Sequence, residues 1–225
     1  MVADFAARET AGRFATEGVI TEKGVARRIV DAAEMPPGTA RLKGNTILEG
    51  FGDDSRPLLL FGAGHVGRAL VMALAPLPFA VTWVDPRPDA FPAHVPANVK
   101  LSRLDDPVAA FREALPGTFV LVMSHSHQLD LAIVHAGLAD QRFAYVGLIG
   151  SATKRARFEK RLAAAGIAAA RIAELVCPIG VAGVHSKLPA AIAAATTAEL
   201  LIRDEALRAA VLPAETVPAL LGKAG

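Results

Sequence analysis

Cysteine is almost missing from this chain: 225 residues hold one, Cys177. No intramolecular disulfide can form, and a four-cysteine zinc site is excluded. Long apolar runs are missing too. No stretch of ~18 uninterrupted apolar residues occurs, so no membrane span is expected. Met1–Thr10 carries Asp4, Arg8 and Glu9 where a secretory leader would be apolar. These absences point to a soluble cytoplasmic protein. An excess of either charge is also missing: 24 Lys+Arg against 22 Asp+Glu leave +2, too little to suggest nucleic-acid binding. Aromatic residues are 5%, with one tryptophan and one tyrosine, Tyr145, which is not part of a Tyr-x-x-x-Lys pair. What is present is apolar mass. At 52% hydrophobic and 20% charged, disorder is excluded for most of the length. A chain of this size buries roughly 70% of its unfolded surface, enough for one large domain or one domain with an appendage.

Residues 1–56 differ from the rest. Their apolar content is modest, and residues 1–50 carry seven basic and seven acidic side chains. Arg8–Glu17 and Lys23–Glu34 each read as an amphipathic helix, the second broken by Met35-Pro36-Pro37-Gly38. A small, mostly helical or loosely docked appendage is the expectation there. From Pro57 the pattern changes. Leu58–Phe61, Ala80–Val84, Thr118–Met123 and Phe143–Ile149 are short apolar runs of the kind buried parallel strands show. Helix-period segments alternate with them: Val66–Ala75, Pro107–Leu115, Leu129–Ala139, Ala152–Ala165 and the alanine-rich Pro189–Leu201. That alternation predicts an α/β fold, a Rossmann-like doubly wound parallel sheet over 57–205, followed by a tail over 206–225.

Gly62-Ala63-Gly64-His65-Val66-Gly67 follows the first of these strands directly and fits G-x-G-x-x-G between a strand and a helix. In that context the first glycine permits a tight turn, the second lets a phosphate approach the backbone, and the third allows close helix–strand packing. The helix N-terminus then favours an anion. Asp85 ends the next strand, where an acid accepts bonds from ribose hydroxyls, and Arg87 is placed to meet a 2′-phosphate instead. The loop therefore reads as a dinucleotide site, as a seat for another phosphorylated ligand, or as a turn with no ligand. His65 inside it is either a donor to a ligand or a solvent-facing loop residue.

A second cluster, Ser124-His125-Ser126-His127-Gln128-Leu129-Asp130, stands at the carboxyl end of strand Thr118–Met123, where ligands bind in open α/β sheets. His125, His127 and Asp130 could hold a metal or position a ligand. They are also compatible with a capped helix start, Ser126 being the cap. A third turn, Gly147–Arg155, contains Gly150, the cap candidate Ser151, and Lys154 and Arg155 in the first helical turn. Cations there are unfavourable without an anion, and residues 142–171 carry seven Lys/Arg against one Glu. The segment reads as a site for an anion or acidic partner, or as a solvated basic face. Cys177, before Pro178-Ile179-Gly180, reads as a small buried hydrophobe rather than a nucleophile.

Together these segments resemble the xanthine dehydrogenase accessory protein family (XdhC/CoxI). The resemblance rests on Leu60–Leu70, on Val84-Asp85-Pro86-Arg87, on Val122–His127 with Asp130, and on Tyr145–Ser151 with Lys154-Arg155. Pro178-Ile179-Gly180 and Pro189–Ala193 match the family's closing segment. The resemblance implies a Rossmann-like domain that binds molybdenum cofactor (molybdopterin), assists its sulfuration through a cysteine desulfurase, and inserts it into the xanthine dehydrogenase apoprotein. It implies that Gly62, Gly64, His65, Gly67, Asp85, Arg87, Ser124, His125, His127, Asp130, Gly150, Ser151, Lys154 and Arg155 line the cofactor site, with the metal contact unassigned. Residues 1–56 lack the Gly-Gly-Cys segment of the family's N-terminal domain, which is expected to be absent here. An NAD(P)-dependent oxidoreductase and a nucleotide-sensing module are the competing functions, and a homodimer is the expected assembly.

Overall fold

The computed structural model describes residues 4, 5, 7, 8, 13–31, 35, 37–52, 54–211 and 217–218. The chain divides into two compact units, one of residues 1–54 with 205–225, the other Ser55–Asp204.

The first unit corrects the helical expectation. Its body is an antiparallel sheet of β1 (Phe14–Thr21), β2 (Gly24–Val30), β3 (Thr39–Lys43) and β4 (Thr46–Phe51), in the order β3-β4-β1-β2. The parts of the expected helices over 9–12 and 32–34 lie outside the described residues. Strands win because two two-residue turns fix the register. Thr21 pairs with Gly24 across Glu22-Lys23, and Lys43 with Thr46 across Gly44-Asn45. Gly24 and Gly44 have φ of +119° and +61°, which only glycine takes at little cost. The β-branched Val19, Ile20, Val25, Ile29 and Val30 also favour strands over helices. Phe14 stacks on Phe51 at 5.1 Å. Residues 206–225, expected as a tail, begin inside a helix, and Val217–Pro218 pairs antiparallel with Thr39-Ala40 as a fifth strand of this sheet.

The second unit is a six-stranded, all-parallel sheet. Its elements are β5 (Arg56–Phe61), α1 (His65–Leu74), β6 (Phe79–Val84), β7 (Val99–Ser102), a 3-10 helix (Pro107–Glu113), β8 (Phe119–Val122), α2 (His127–Ala139), β9 (Tyr145–Leu148), α3 (Ala152–Ala164), α4 (Ala169–Ala173), β10 (Leu175–Val176) and α5 (Pro189–Val211). The strand order is β10-β9-β8-β5-β6-β7. This is the doubly wound order, which reverses direction between β5 and β8. β8 and β9, and β5 over Leu58–Phe61, are buried on both faces, as their apolar runs require. One face packs Leu58, Leu60, Trp83 and Leu121 against Leu70, Val71 and Leu74 of α1 and Ala193 and Leu200 of α5. The other packs Leu59, Phe61, Val120, Val122 and Leu148 against Ile133 and Leu138 of α2 and Phe158 and Leu162 of α3. Every strand points the same way, so the loops after β5, β6, β8, β9 and β10 all leave from one rim of the sheet.

Candidate functional site

The glycine loop leaves β5 at the switch point. Gly62 has φ +112°, and a Cβ there would collide with the Met123 carbonyl oxygen and lie 3.0 Å from Ser124 Cα. The missing side chain is what lets the loop after β5 touch the loop after β8. A Cβ on Gly67 would strike the Gly62 carbonyl oxygen, so the third glycine sets how closely α1 approaches the strand. Gly64 is different. It is the N-cap of α1, its φ is −78°, no side chain caps the helix, and a Cβ there would meet nothing within 4 Å. The N-terminus of α1 thus carries no side-chain cap, and the space beside Gly64, at the positive end of the helix dipole, is unfilled. His65 is exposed beside it. Trp83, fully buried, donates from Nε1 to the Gly62 carbonyl at 3.0 Å and braces the loop from beneath.

Asp85 and Arg87 stand next to that loop, directly after β6. The Asp85 side chain is 1% exposed. Its Oδ2 accepts from the Ala63 N–H at 2.8 Å and from Arg87 Nη2 at 2.8 Å; its Oδ1 accepts from the Arg87 N–H at 3.0 Å and from Arg87 Nε at 2.9 Å. Burial by itself pushes this carboxyl up. The hydrogen bonds from the Arg87 side chain, from Ala63 and from the Arg87 backbone, with the guanidinium charge, outweigh it and hold the group below its ordinary value.

On the other side of the switch point the polar residues bond to one another. Asp130 is fully buried in the first turn of α2. Its Oδ1 accepts from the Ser124 N–H at 3.0 Å and from Ser124 Oγ at 2.7 Å, and its Oδ2 accepts from Lys154 Nζ at 2.7 Å. Lys154, 8% exposed, also donates to the Ile149 carbonyl at 2.8 Å. The anion that the cationic first turn of α3 needs is therefore Asp130, an internal group. Arg155 is likewise engaged, with Glu159 at 2.7 Å and the Cys177 carbonyl at 3.3 Å. Ser126 and Ser151 cap α2 and α3, accepting from Leu129 and Lys154 N–H at 3.4 and 3.2 Å. His125 and His127 are exposed at the mouth of this loop. Gly150 is glycine by contact: a Cβ would lie 2.8 Å from Lys154 Cδ and 3.1 Å from Cys177 Sγ. Cys177 is buried, and burial pushes its thiol up despite Lys154 and Arg155 nearby.

The parallel sheet thus sets all fourteen sequence-selected residues on one rim. It makes Ser124, Asp130 and Lys154 one bonded unit, and Asp85 and Arg87 another. It does not gather a metal cage: among the described residues no group of three or more His, Cys, Asp or Glu could hold an ion. Two supporting residues escaped sequence reading. Trp83 lies in a strand run that reads as plain core. Glu199, whose Oε2 accepts from the Gly180 N–H at 2.6 Å, is separated from that partner by 19 residues. A cavity of about 290 Å³ lies away from the rim, on the sheet face between the 3-10 helix and the starts of β5 and β6.

The order of the sheet, the glycine loop at its switch point and the loops beside it define a Rossmann-type domain. Residues 58–200, more than half the chain, match the model of the XdhC Rossmann domain, and the chain belongs to that family. It is 32% identical over 148 residues to the uncharacterized protein YqeB of Escherichia coli (strain K12), a match over 64% of this chain and 26% of that protein. The chain therefore spans about a quarter of that relative's length. A crystal structure of a protein described as a xanthine dehydrogenase from Bacillus halodurans superposes with a TM-score of 0.72 at 19% identity, over 92% of this chain and 64% of that one. That likeness is one of fold.

Proposed function

We propose that this chain is a molybdenum cofactor-binding chaperone that assists sulfuration of the cofactor and its insertion into xanthine dehydrogenase. One observation carries the proposal beyond family membership. At Gly64 the glycine loop leaves an uncapped helix N-terminus facing open space, beside the cationic Arg87. Molybdopterin ends in a phosphate and carries an anionic dithiolene–metal head, and such a seat suits the phosphate. The exposed His125 and His127 stand on the neighbouring loop, where the pterin edge or metal ligands of the cargo would come to lie. Xanthine dehydrogenase apoprotein and a cysteine desulfurase are the proposed partners, in the cytoplasm, with the chain acting as a homodimer. No described helix is long and apolar enough to cross a membrane.

The NAD(P)-dependent oxidoreductase is the weaker reading. Tyr145 is 5% exposed, and burial, with the Glu199 carboxylate near it, pushes its phenol up, away from the range of a proton donor. The proposal is tested by purifying the protein from a cofactor-producing host, measuring molybdenum and oxidised-pterin fluorescence, and assaying activation of the apo-dehydrogenase. Co-purification of both, with activation, is expected. Absence of both, with no effect on activation, overturns it.

A further inference from the structure

A carboxylate has about four lone-pair positions on its two oxygens. Asp85 meets four donors: two N–H groups on Oδ1, both from Arg87, and two on Oδ2, from Ala63 and Arg87. A ribose diol would have to bring two further O–H donors to the same oxygens. None of the four positions is open to it, and the side chain is 1% exposed. The acid that in many dinucleotide sites accepts the ribose is here enclosed by its neighbour two residues on. The guanidinium that encloses it has five N–H groups and gives two of them to Asp85, from Nε and Nη2. The Arg87 side chain is 44% exposed, so its outer N–H edge faces solvent next to the glycine loop.

From this geometry we infer that Arg87 is a specificity-determining residue: it closes the diol seat on Asp85 and turns the β6 edge of the site toward a phosphate monoester. The selected ligands carry a terminal phosphate there and no free vicinal diol. This rests on the proposed cofactor-handling role for its biological ligand, but not for its chemistry. Charge-assisted bonds from guanidinium to a dianionic phosphate are among the stronger polar contacts available. Asp85 holds the guanidinium in place for them, and its bond to Ala63 fixes the same arrangement to the glycine loop.

The test compares ligands that differ by one phosphate, in two chemical families. One pair is the fluorescent pterin obtained by oxidising molybdenum cofactor, with its phosphate or after phosphatase treatment, followed by its anisotropy. The other is NADPH against NADH, followed by the emission of Trp83, the single tryptophan, which bonds directly to the glycine loop. The full-length chain and Arg87→Gln are used, with the melting temperature of each recorded. The wild type is expected to prefer the phosphorylated member of a pair by about tenfold or more. Arg87→Gln, which leaves the Asp85–Ala63 bond in place, is expected to lose that preference and to gain affinity for NADH as Asp85 opens. A folded Arg87→Gln that keeps the preference overturns the inference, as does a wild type with no preference in either pair. A preference seen only with the dinucleotides keeps Arg87's role and counts against the cofactor proposal. Molybdenum co-purifying with a wild type that shows no preference does the reverse.

Discussion

The two sides of the rim achieve order by opposite means. On the β5–β6 side the decisive feature is absent side chains: Gly62 and Gly67 let backbones touch, and Gly64 leaves space unfilled. On the β8–β9 side the decisive feature is charge. Asp130 and Lys154 are buried, and they neutralise each other while tying Ser124 and Ile149 into one network. The difference teaches where a ligand has something to gain. A side that has already met its own hydrogen-bonding needs offers stiffness, while a side with an uncapped helix N-terminus and a half-exposed guanidinium has more to offer an anion. The β8–β9 side then serves as the wall against which the β5 loop is held, because Gly62 rests on Met123 and Ser124.

The largest expected effect tests the wall. Asp130→Ala would leave the Lys154 ammonium buried without its counter-charge, and should destabilise the protein by about 3–5 kcal/mol, read by urea unfolding. Replacing both partners with apolar residues, Asp130→Leu with Lys154→Met, should recover most of that loss, because no charge is then stranded. If the single substitution costs little, the pair is not the wall's support. Next come the glycines, which separate shape from recognition. Gly62→Ala forces a Cβ into a φ of +112° and against the Met123 carbonyl, and should cost about 2–4 kcal/mol. Gly64→Asp should cost no stability, since aspartate is a favourable N-cap, yet its carboxylate would occupy the phosphate's approach and abolish ligand binding. Equal losses of stability at the two positions would erase the distinction between them.

Much of the Rossmann unit was legible because fully buried strands must be uniformly apolar. Leu58–Phe61 and Phe119–Val122 can be read as strands for that reason. β7 was not, because Val99-Lys100-Leu101-Ser102 lies at the sheet edge with three of its four residues partly or fully exposed. In the first unit a few apolar residues at helical spacing point to helices that do not form. The signals that decided the outcome were local, a Gly-Asn turn and glycines at positive φ. At the site, chain order showed which residues lie at strand ends but not what they do there. Asp130 and Lys154 are 24 residues apart, and only the parallel crossover makes their bond visible. The saturation of Asp85 is local in sequence, yet it depends on the Ala63 N–H arriving from the loop after β5.

Acid unfolding sharpens the comparison on the β5–β6 side. The folded value of Asp85 lies below its ordinary 3.8. Its bonds therefore contribute stability fully above 3.8, and that contribution is lost as pH falls through the lower folded value. The melting temperature should carry no Asp85-linked slope between neutral pH and that ordinary value, and should fall below it. Arg87→Gln removes the guanidinium that lowers the carboxyl, so this acid limb should become shallower. An unchanged limb would mean that the clamp on Asp85 is not maintained in solution.

The smallest effect on stability is expected at the mouth of the β8 loop. His127 opens α2 with its side chain exposed and no contact that the helix start depends on, since Ser126 supplies the cap and Asp130 the buried anchor. His127→Ala should therefore shift stability by no more than about 0.5 kcal/mol. If the exposed histidines meet the cargo, the same substitution lowers transfer to the apo-dehydrogenase while the folded protein is unchanged. Asp130→Ala lowers transfer as well, but only together with a fall in melting temperature. The ratio of lost transfer to lost stability thus separates a residue that touches the ligand from one that holds the wall. A large drop in melting temperature on His127→Ala would place this histidine with the wall.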